Sequence, residues 1–284
     1  MKKEKGGRTM AGTLYLVPTP IGNLGDISRR CAETLEAVDL IAAEDTRVTL
    51  KLLSHLGLKK PLVSYYRHNT DEAGERLLER LMAGENVALV TDAGTPAVSD
   101  PGEDLVALCA QHGVTVSALP GPCALTTALS VSGLPTARFT FEGFLPMNKK
   151  NRRAQLEELK AETRTMIFYE APHKLMNTLS DLCETFGPER RISLCRELTK
   201  LHEEVVRTTL AGAVELHQEK EPRGEYVLVV EGACPQKEAA TIEDGLERVK
   251  ELMGEGLSRK DAVKQAAKEL GLSRNELYAA ALEG

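Results

Sequence analysis

Three loops rich in glycine and proline follow apolar runs of the sequence, and such loops can hold a ligand. They span residues 18–26, 91–102 and 120–128. In an open α/β sheet, ligands bind where strands end and helices begin, because glycine allows close approach and the first helical N–H groups are free. The first loop has neither G-x-G-x-x-G nor G-x-x-x-x-G-K-[ST], which disfavours a dinucleotide or a nucleoside triphosphate.

Each loop also has a purely structural explanation. The first would serve equally well as a proline-stiffened turn, whereas the second has more special residues than a turn requires and favours binding. Cys123, in the third loop, could be a nucleophile. No base is tied to it by the sequence, so packing or lining a site explains it better.

The strands and helices that position these loops are predicted by alternating β-rich and helical patterns along the chain. This alternation is typical of an α/β fold around a largely parallel sheet. In the first half the predicted strands are residues 13–17, 40–43, 62–64, 86–91 and 114–119. The intervening helices include one after a predicted cap at Asp26, one over 46–56 and one over 71–83.

The chain divides into further segments at its turn-rich stretches. A break at residues 133–136 predicts a boundary between an N-terminal α/β domain, 13–134, and a C-terminal one, 135–233. The second domain has predicted strands at 140–144, 165–169, 192–195, 203–208 and 226–230. Residues 1–12 are expected to be a disordered leader.

Residues 240–284 predict a small helical module that contains a helix-turn-helix pattern. Ser258 and Ser273 are its expected helix caps. The module has 7 Lys and Arg against 9 Asp and Glu, so it is not a basic clamp. A packing or dimer role and an RNA contact are both open.

Composition limits the possible partners. The net charge is −6, and the pI is about 5.7. A protein that wraps nucleic acid by bulk electrostatics would be basic, so any RNA contact must be local. Six cysteines without a C-x-x-C pair or a Cys/His cluster argue against a metal site or disulfides, and a cytoplasmic protein without membrane segments is expected.

Five motifs occur in one order and carry a family resemblance. They are residues 19–24 (TPIGNL), 44–47 (EDTR), 92–102, 120–124 (PGPCA) and 170–173 (EAPH). Together they are similar to the tetrapyrrole methylase superfamily and, within it, to the ribosomal RNA small subunit methyltransferase I branch, over roughly residues 13–233. Corrin-pathway members usually carry a G-x-G-P-G-D type first loop, which differs from the T-P-I-G-N found here.

The resemblance implies a fold, a reaction and partners. It implies two α/β domains with S-adenosylmethionine in the cleft between them, followed in sequence by a small C-terminal helical module. The implied reaction methylates the ribose 2′-oxygen of a cytidine in the decoding region of 16S rRNA. The acidic total charge favours rRNA presented within the small ribosomal subunit. A homodimer is the implied assembly, and no metal is expected.

The superfamily's cofactor contacts carry over motif by motif. The residues expected to bind S-adenosylmethionine are Pro20, Gly94, Thr95, Pro96, Val98, Cys123, Ala124, Phe168, Tyr169, Ala171 and Gly224.

The ribose hydroxyl needs in-line positioning and is helped by a group that accepts its proton. The candidate acceptors are Asp45, His68, Asp100, Glu197, Lys200 and Glu203. Asp45 with Arg47 is preferred because the pair ends a strand at the expected ligand edge, and Glu197 with Lys200 comes next. Each carboxylate alone is more often part of an ion pair than catalytic.

Substrate contacts are expected from two further segments. Arg67 and His68 lie in a polar and aromatic stretch suited to stacking a flipped base and holding phosphates. The clearest basic cluster is Lys149, Lys150, Arg152 and Arg153. Such a cluster is usually a solvated helix start, but beside RNA it would neutralise phosphates.

Two alternatives remain open from the sequence. The first is a methylase of a corrin precursor. The second, from another class, is a non-catalytic ribosome assembly factor whose cofactor fold is vestigial. The intact cofactor-loop motifs argue against the latter.

Overall fold

The computed structural model describes residues 10–219, 221–234 and 241–283. Most of the predicted leader lies outside these residues, as does residue 240. The chain separates into two compact units, one up to Ala233 and one from Cys234. Among the described residues, no helix combines the length and apolar character needed to cross a membrane.

The first sheet contains five parallel strands: β1 (Thr13–Leu16), β2 (Leu40–Ala43), β3 (Leu62–Ser64), β4 (Val87–Val90) and β5 (Thr115–Ala118). Their order is β3-β2-β4-β1-β5. The central strands β2 and β4 read LIAA and VALV and are buried throughout, as expected for a parallel sheet covered on both faces. The predicted strands agree with these to within about a residue at each end.

Five helices belong to this half: α1 (Arg29–Ala37), α2 (Thr46–His55), α3 (Thr70–Met82), α4 (Glu103–Gln111) and α5 (Ala124–Val131). The predicted cap of α1 at Asp26 is wrong. Asp26 ends a short 3-10 turn, Leu24–Asp26, and the cap is Ser28, whose hydroxyl accepts from the Cys31 N–H at 3.1 Å.

The second sheet is mixed. Its strands are β6 (Phe139–Phe144), β7 (Thr165–Glu170), β8 (Arg191–Arg196), β9 (Glu204–Thr209) and β10 (Tyr226–Val230), in the order β6-β7-β10-β8-β9. Only β6 and β7 pair in parallel; β7–β10, β10–β8 and β8–β9 are antiparallel. The helices of this half are α6 (Lys149–Leu159), α7 (Pro172–Phe186) and α8 (Leu210–Glu219).

Helix α5 joins the two halves of the first unit. One face of the second sheet packs in a core with residues of α6, α7 and α8, such as Leu156 and Leu179. The opposite face, which includes Ile167 and Val229, packs against Leu125 and Leu129 of α5. Because α5 is connected to β5 by the short loop 119–123, the second sheet is held against the end of the first.

The second unit consists of α9 (Ile242–Gly254), α10 (Arg259–Leu270) and α11 (Arg274–Glu283), around a core of its own. Ser258 caps α10, which begins two residues before the predicted start at Asp261. Gly271 ends α10 with φ +70°, a left-handed conformation that glycine adopts without a Cβ penalty.

Candidate functional site

A cavity of about 500 Å³ lies between the two sheets of the first unit. Loops that follow β2 and β4, together with the start of α5, form one side, and the ends of β7, β8 and β10 form the other. The predicted residues Gly94, Thr95, Val98, Cys123, Ala124, Tyr169, Ala171 and Lys200 all line it. Other lining residues, among them Ile21, Phe144 and Leu198, were not predicted from the sequence.

Hydrogen bonds tie the three predicted loops together at the cavity. Thr19 and Gly94 exchange two backbone hydrogen bonds of 2.9 and 3.0 Å. The Thr95 hydroxyl donates to the Pro122 carbonyl at 3.0 Å. Gly94 has φ +90°, a conformation that an L side chain rarely adopts. These contacts preorganise the cavity wall without a ligand.

Two cavity loops carry strained backbone at residues other than glycine. Ala97 and Ser99 have φ +66° and +64°, and Glu197 and Thr199 have φ +50° and +66°. Such conformations cost of order 1 kcal/mol or more each and persist where the surroundings enforce them, most often at ligand sites. The conformation of both loops is therefore set by the packing around the cavity and not by the local preference of the backbone.

Tyr169 forms the aromatic wall of the cavity. Its ring packs edge-on against Phe141 and Phe144, with centroid distances of 4.9 and 5.5 Å. Its hydroxyl accepts from the Leu125 N–H at 3.1 Å, and burial raises its pKa. The neighbouring Phe168 side chain points to the opposite face and packs in the core with Leu156, so it does not line the cavity.

Three further predicted cofactor residues support the loops rather than line the cavity. Pro96 is buried, and Pro20 precedes the lining residue Ile21. Gly224 has φ +79°, and a Cβ there would lie 2.5 Å from the Glu197 side chain.

Carboxylates gather at the edge of the first sheet. The Asp92 N–H donates to Glu44 Oε2 at 3.3 Å, and the Asp45 N–H donates to Asp92 Oδ1 at 3.1 Å. Burial raises the pKa of both Glu44 and Asp92. Neither was predicted as a site residue, although Glu44 directly follows β2 and Asp92 lies two residues after the end of β4. A position just after a buried strand is the signal that could have found them.

The Asp45–Arg47 pair lies beside the cavity lining rather than in it. Asp45 caps α2 by accepting from the Arg47 N–H, and its carboxylate binds the Arg47 guanidinium at 2.5 Å. Hydrogen bonds from Arg47 lower the pKa of Asp45 to about 2. A carboxylate of such low basicity is poorly suited to accept a proton at neutral pH, so the geometry favours an orienting role.

Lys200 lies between two carboxylates. Its Nζ is 2.8 Å from Glu197 Oε1 and 2.9 Å from Glu225 Oε2. Burial works to lower the Lys200 pKa, but the hydrogen bonds to Glu197 and Glu225 outweigh it and raise that pKa. Lys200 is therefore held as a cation and does not supply the neutral amine of a general base.

The predicted substrate residues differ in their surroundings. Arg67 and His68 are exposed, and the Arg67 guanidinium donates to the Ser99 carbonyl at 3.2 Å, which brings it to the cavity loop. Lys149 and Lys150 are exposed in the first turn of α6. Arg152 and Arg153 both bind Asp181 of α7 instead, at 2.6 and 3.0 Å.

The cavity suits S-adenosylmethionine by volume and by lining. Ligand pockets of roughly 300–1,000 Å³ are typical for molecules of this size. Apolar and aromatic side chains such as Tyr169, Val98 and Leu198 can cover a purine. The α5 N-terminus, where Cys123 provides no side-chain cap, leaves backbone N–H groups for ligand oxygens. Within the described residues no cluster of metal-ligating side chains is found.

Comparison with known proteins defines the class. The pattern of the family described as Tetrapyrrole (Corrin/Porphyrin) Methylases matches residues 13–214. Uroporphyrin-III C-methyltransferase from Thermus thermophilus, solved with S-adenosyl homocysteine, is 20% identical with a TM-score of 0.55, covering 78% of this chain and 97% of the solved one. A diphthine synthase is 16% identical with a TM-score of 0.59, covering 78% and 90%. The chain therefore has the fold of a tetrapyrrole-methylase-type methyltransferase.

More similar sequences narrow this class. Residues 238–284 match the family described as RsmI C-terminal HTH domain. The "Ribosomal RNA small subunit methyltransferase I" of Synechocystis is 49% identical, covering 96% of this chain and 98% of the relative. The protein of that name from Escherichia coli O157:H7 is 46% identical, covering 100% and 99%. The chain belongs to the ribosomal RNA small subunit methyltransferase I family and uses S-adenosylmethionine as its methyl donor.

Replacing Gly94 with valine should weaken S-adenosylmethionine binding at least tenfold, because a branched side chain is strained at φ +90° in the cavity wall. Isothermal titration calorimetry measures the affinity. Gly113→Val is the matched control, since Gly113 has φ +69° in the turn after α4 and is not among the cavity-lining residues. Equal affinity in the two variants would remove Gly94 from the binding surface.

Proposed function

We propose that the protein transfers the methyl group of S-adenosylmethionine to the ribose 2′-oxygen of a cytidine in the decoding region of 16S rRNA. The observation that carries this proposal is the donor cavity bordered by exposed arginines, Arg47 and Arg67, at the end of the first sheet. Relatives 43–49% identical over nearly the full chain are named as methyltransferases of the small-subunit rRNA. A corrin-precursor substrate has less support, since such relatives are about 16–21% identical and share the fold.

The residues of the chain would perform three tasks in this reaction. The cavity loops hold the donor and exclude water, and S-adenosylmethionine supplies the activated methyl group. Arg47, oriented by Asp45, and Arg67 bind backbone phosphates of the RNA. A base extruded from its stack would meet the polar and aromatic segment with Tyr66 and His68. Positioning of this kind supplies several kcal/mol toward the barrier.

The proposed function also implies a substrate form, a compartment and an assembly. The substrate would be the small ribosomal subunit in the cytoplasm, because a chain with a net charge of −6 is poorly suited to capture free RNA. A homodimer is proposed as the assembly. The domain division at residues 134–135 stays a prediction, and the helical unit is proposed to contribute either a subunit contact or a contact between protomers.

Methylation of isolated small subunits tests the function. Subunits that lack modification in the decoding region are incubated with methyl-tritiated S-adenosylmethionine, and the rRNA is hydrolysed with alkali. A 2′-O-methyl group blocks cleavage at its phosphodiester, so the label should appear in a dinucleotide with methylated cytidine. Label in mononucleotides would instead indicate base methylation and contradict the proposal. Absence of labelling with the donor bound would favour the assembly factor.

Reversing the charge of Lys149 and Lys150 with glutamate should weaken subunit binding and reduce the salt dependence of log K by about 2 units of slope. Both side chains are exposed at the start of α6 and belong to the predicted basic cluster. Binding is measured by filter retention over a range of KCl concentrations. Reversal of Lys59, which is exposed, and Lys60, which is half-buried, is the control. An unchanged slope in the Lys149/Lys150 variant would indicate that the cluster is a solvated helix start.

A further inference from the structure

An irregularity in strand β6 turns the side chain of Phe144 toward the cavity. Phe141 and Gly143 pair with consecutive residues of β7, so Glu142 is an extra residue in the strand. Gly143 has φ +63°, a left-handed conformation that glycine adopts without a Cβ penalty. A one-residue bulge of this kind re-aims the side chains that follow it and is common beside active sites.

The bulge places two phenylalanines of β6 on the same face of the sheet. Successive side chains of a regular strand point to opposite faces, so residues three apart, such as Phe141 and Phe144, would diverge. Both rings instead pack edge-on against Tyr169, and Phe144 lines the cavity. Phe144 nevertheless remains 55% exposed. The strand therefore presents an aromatic ring to solvent at the mouth of the cavity.

The backbone on both sides of this ring is held in place. A Cβ on Gly143 would lie 3.5 Å from Ser99 Oγ, and the Ser99 carbonyl accepts from the Arg67 guanidinium. After the ring, Arg152 donates to both carbonyls of residues 146–147 at 3.3 Å. An exposed aromatic side chain on a fixed backbone loses little conformational freedom when it binds a partner.

The geometry of a ribose substrate accounts for an aromatic ring at this place. The reacting oxygen is bonded to C2′, and the base is bonded to the adjacent C1′. A ribose whose 2′-oxygen faces the methyl donor therefore brings its base to the cavity mouth. Enzymes that extrude a nucleotide hold its base by stacking against aromatic or apolar side chains.

We propose that Phe144 is the stacking surface for the base of the cytidine that is methylated. This inference rests on the function proposed above. Stacking holds the nucleotide outside its helix and so fixes the ribose in front of the donor, without a contact between Phe144 and the methyl group. The segment 66–68 meets the same nucleotide from the side of the first sheet.

The adenine of the donor is a less suitable partner for this ring. Ligand pockets bury most of the surface of the molecule that they hold. The enclosed part of the cavity, with Val98, Tyr169 and Leu198, can cover the adenine. Phe144 is more than half exposed, so its free surface faces the side from which the RNA must approach.

Replacing Phe144 with alanine should lower kcat/KM for small subunits by about 5- to 150-fold, the range expected for loss of one base–aromatic contact. The affinity for S-adenosylmethionine should stay within about threefold of wild type, because the ring is at the open end of the cavity. Single-turnover methylation and calorimetry with the donor measure the two quantities.

The matched control is Phe139→Ala, which should methylate subunits at the wild-type rate. Phe139 is 40% exposed at the opposite end of the same strand, and it is not one of the described residues that line the cavity. Loss of an exposed phenylalanine from β6 is therefore common to both variants, and only the contact with the base differs.

Two conservative variants separate stacking from packing. Phe144→Trp should keep kcat/KM within about threefold of wild type, because tryptophan offers a larger stacking face. Phe144→Leu keeps an apolar side chain but has no aromatic face, so it should lose nearly as much as Phe144→Ala. A ring that served only to pack against Tyr169 would be replaced by leucine with little loss, which would contradict the inference.

A further variant tests whether the bulge acts through the ring. Gly143→Val should lower kcat/KM, because a branched side chain is strained at φ +63° and the orientation of Phe144 would be lost. In the Phe144→Ala background the same change should have an effect below about twofold, since there is no ring left to orient. Equal effects in the two backgrounds would contradict this role of the bulge.

Three results with Phe144→Ala would overturn the inference. A kcat/KM within about threefold of wild type would show that no base stacks on the ring. A loss of donor affinity beyond about threefold would make the ring part of the donor site. A changed molar mass by light scattering would make it a contact between protomers.

Failure of the proposed function would look different from failure of this inference. It would appear in the wild type itself, as label outside the ribose 2′-oxygen of cytidine. Failure of the inference would appear only in the Phe144 variants, with the wild-type label in its expected dinucleotide.

Discussion

Replacing Arg47 with alanine should lower kcat/KM for small ribosomal subunits by about 10²-fold and leave the affinity for S-adenosylmethionine unchanged. The guanidinium is 86% exposed at the start of α2, where Asp45 orients it beside the cavity. A charge-assisted hydrogen bond to a phosphate contributes about 1.5–3 kcal/mol, which corresponds to roughly a 10- to 150-fold effect. Single-turnover methylation and calorimetry with the donor measure the two quantities.

Two further variants test whether the effect is specific to the Arg47 guanidinium and its orientation by Asp45. Asp45→Asn keeps an acceptor for the Arg47 N–H but loses the ion pair, so it should reduce kcat more than it weakens subunit binding, by a smaller factor than Arg47→Ala. Arg29→Ala removes an equally exposed arginine on α1 that pairs with Glu33, and should have no effect. Wild-type rates in both Arg47→Ala and Asp45→Asn would contradict this assignment and would indicate that the substrate binds nearer to residues 196–200.

Replacing Asp181 with alanine should lower the free energy of unfolding by about 3–5 kcal/mol. The Asp181 side chain is 5% exposed and binds the Arg152 guanidinium, which is 11% exposed. Removal of the Asp181 carboxylate leaves the largely buried Arg152 cation without its partner. An uncompensated buried charge lowers the free energy of unfolding more than loss of both partners would. Urea denaturation measures the loss. Glu33→Ala, which breaks an exposed pair on α1, should cost less than about 1 kcal/mol.

The effect of Asp181 should also depend on pH. Burial works to raise its pKa, but hydrogen bonds from Arg152 and Arg153 outweigh it and lower that pKa below the ordinary value of 3.8. A group with a lowered folded-state pKa contributes its stability fully above the unfolded-state pKa and loses it as pH falls through the folded-state one. The difference between wild type and Asp181→Ala should be constant from pH 7 to about 5 and shrink below about pH 4. A constant difference at acid pH would contradict this.

The first unit follows from local patterns to a large extent. Short apolar runs such as LIAA and VALV identify the strands, because only a sheet covered on both faces buries every residue of such a run. Glycine and proline loops after these strands indicated the ligand edge, and Gly94, Thr95, Cys123 and Ala124 do line the cavity. The family itself was predictable because its motifs are contiguous in sequence.

Other features depended on which elements become neighbours. Phe168 and Tyr169 are adjacent in β7 and point to opposite faces, so only the packing of α5 and α7 decides which one meets the cavity. Arg152 and Arg153 resemble a phosphate-binding cluster until α7 brings Asp181 against them.

The sequence by itself determined the strands, the loops that line the cavity and the family, because these are encoded by residues close together in the chain. The tertiary structure alone decided the electrostatics of the site. The strand order places β2 beside β4 and so joins Glu44 to Asp92, 48 residues apart. Burial beside these two charges then raises the pKa of Asp100 to about 7, whereas Arg47 keeps Asp45 weakly basic. Charge–charge interaction and desolvation depend on distance and burial in space, and residue spacing along the chain does not specify either.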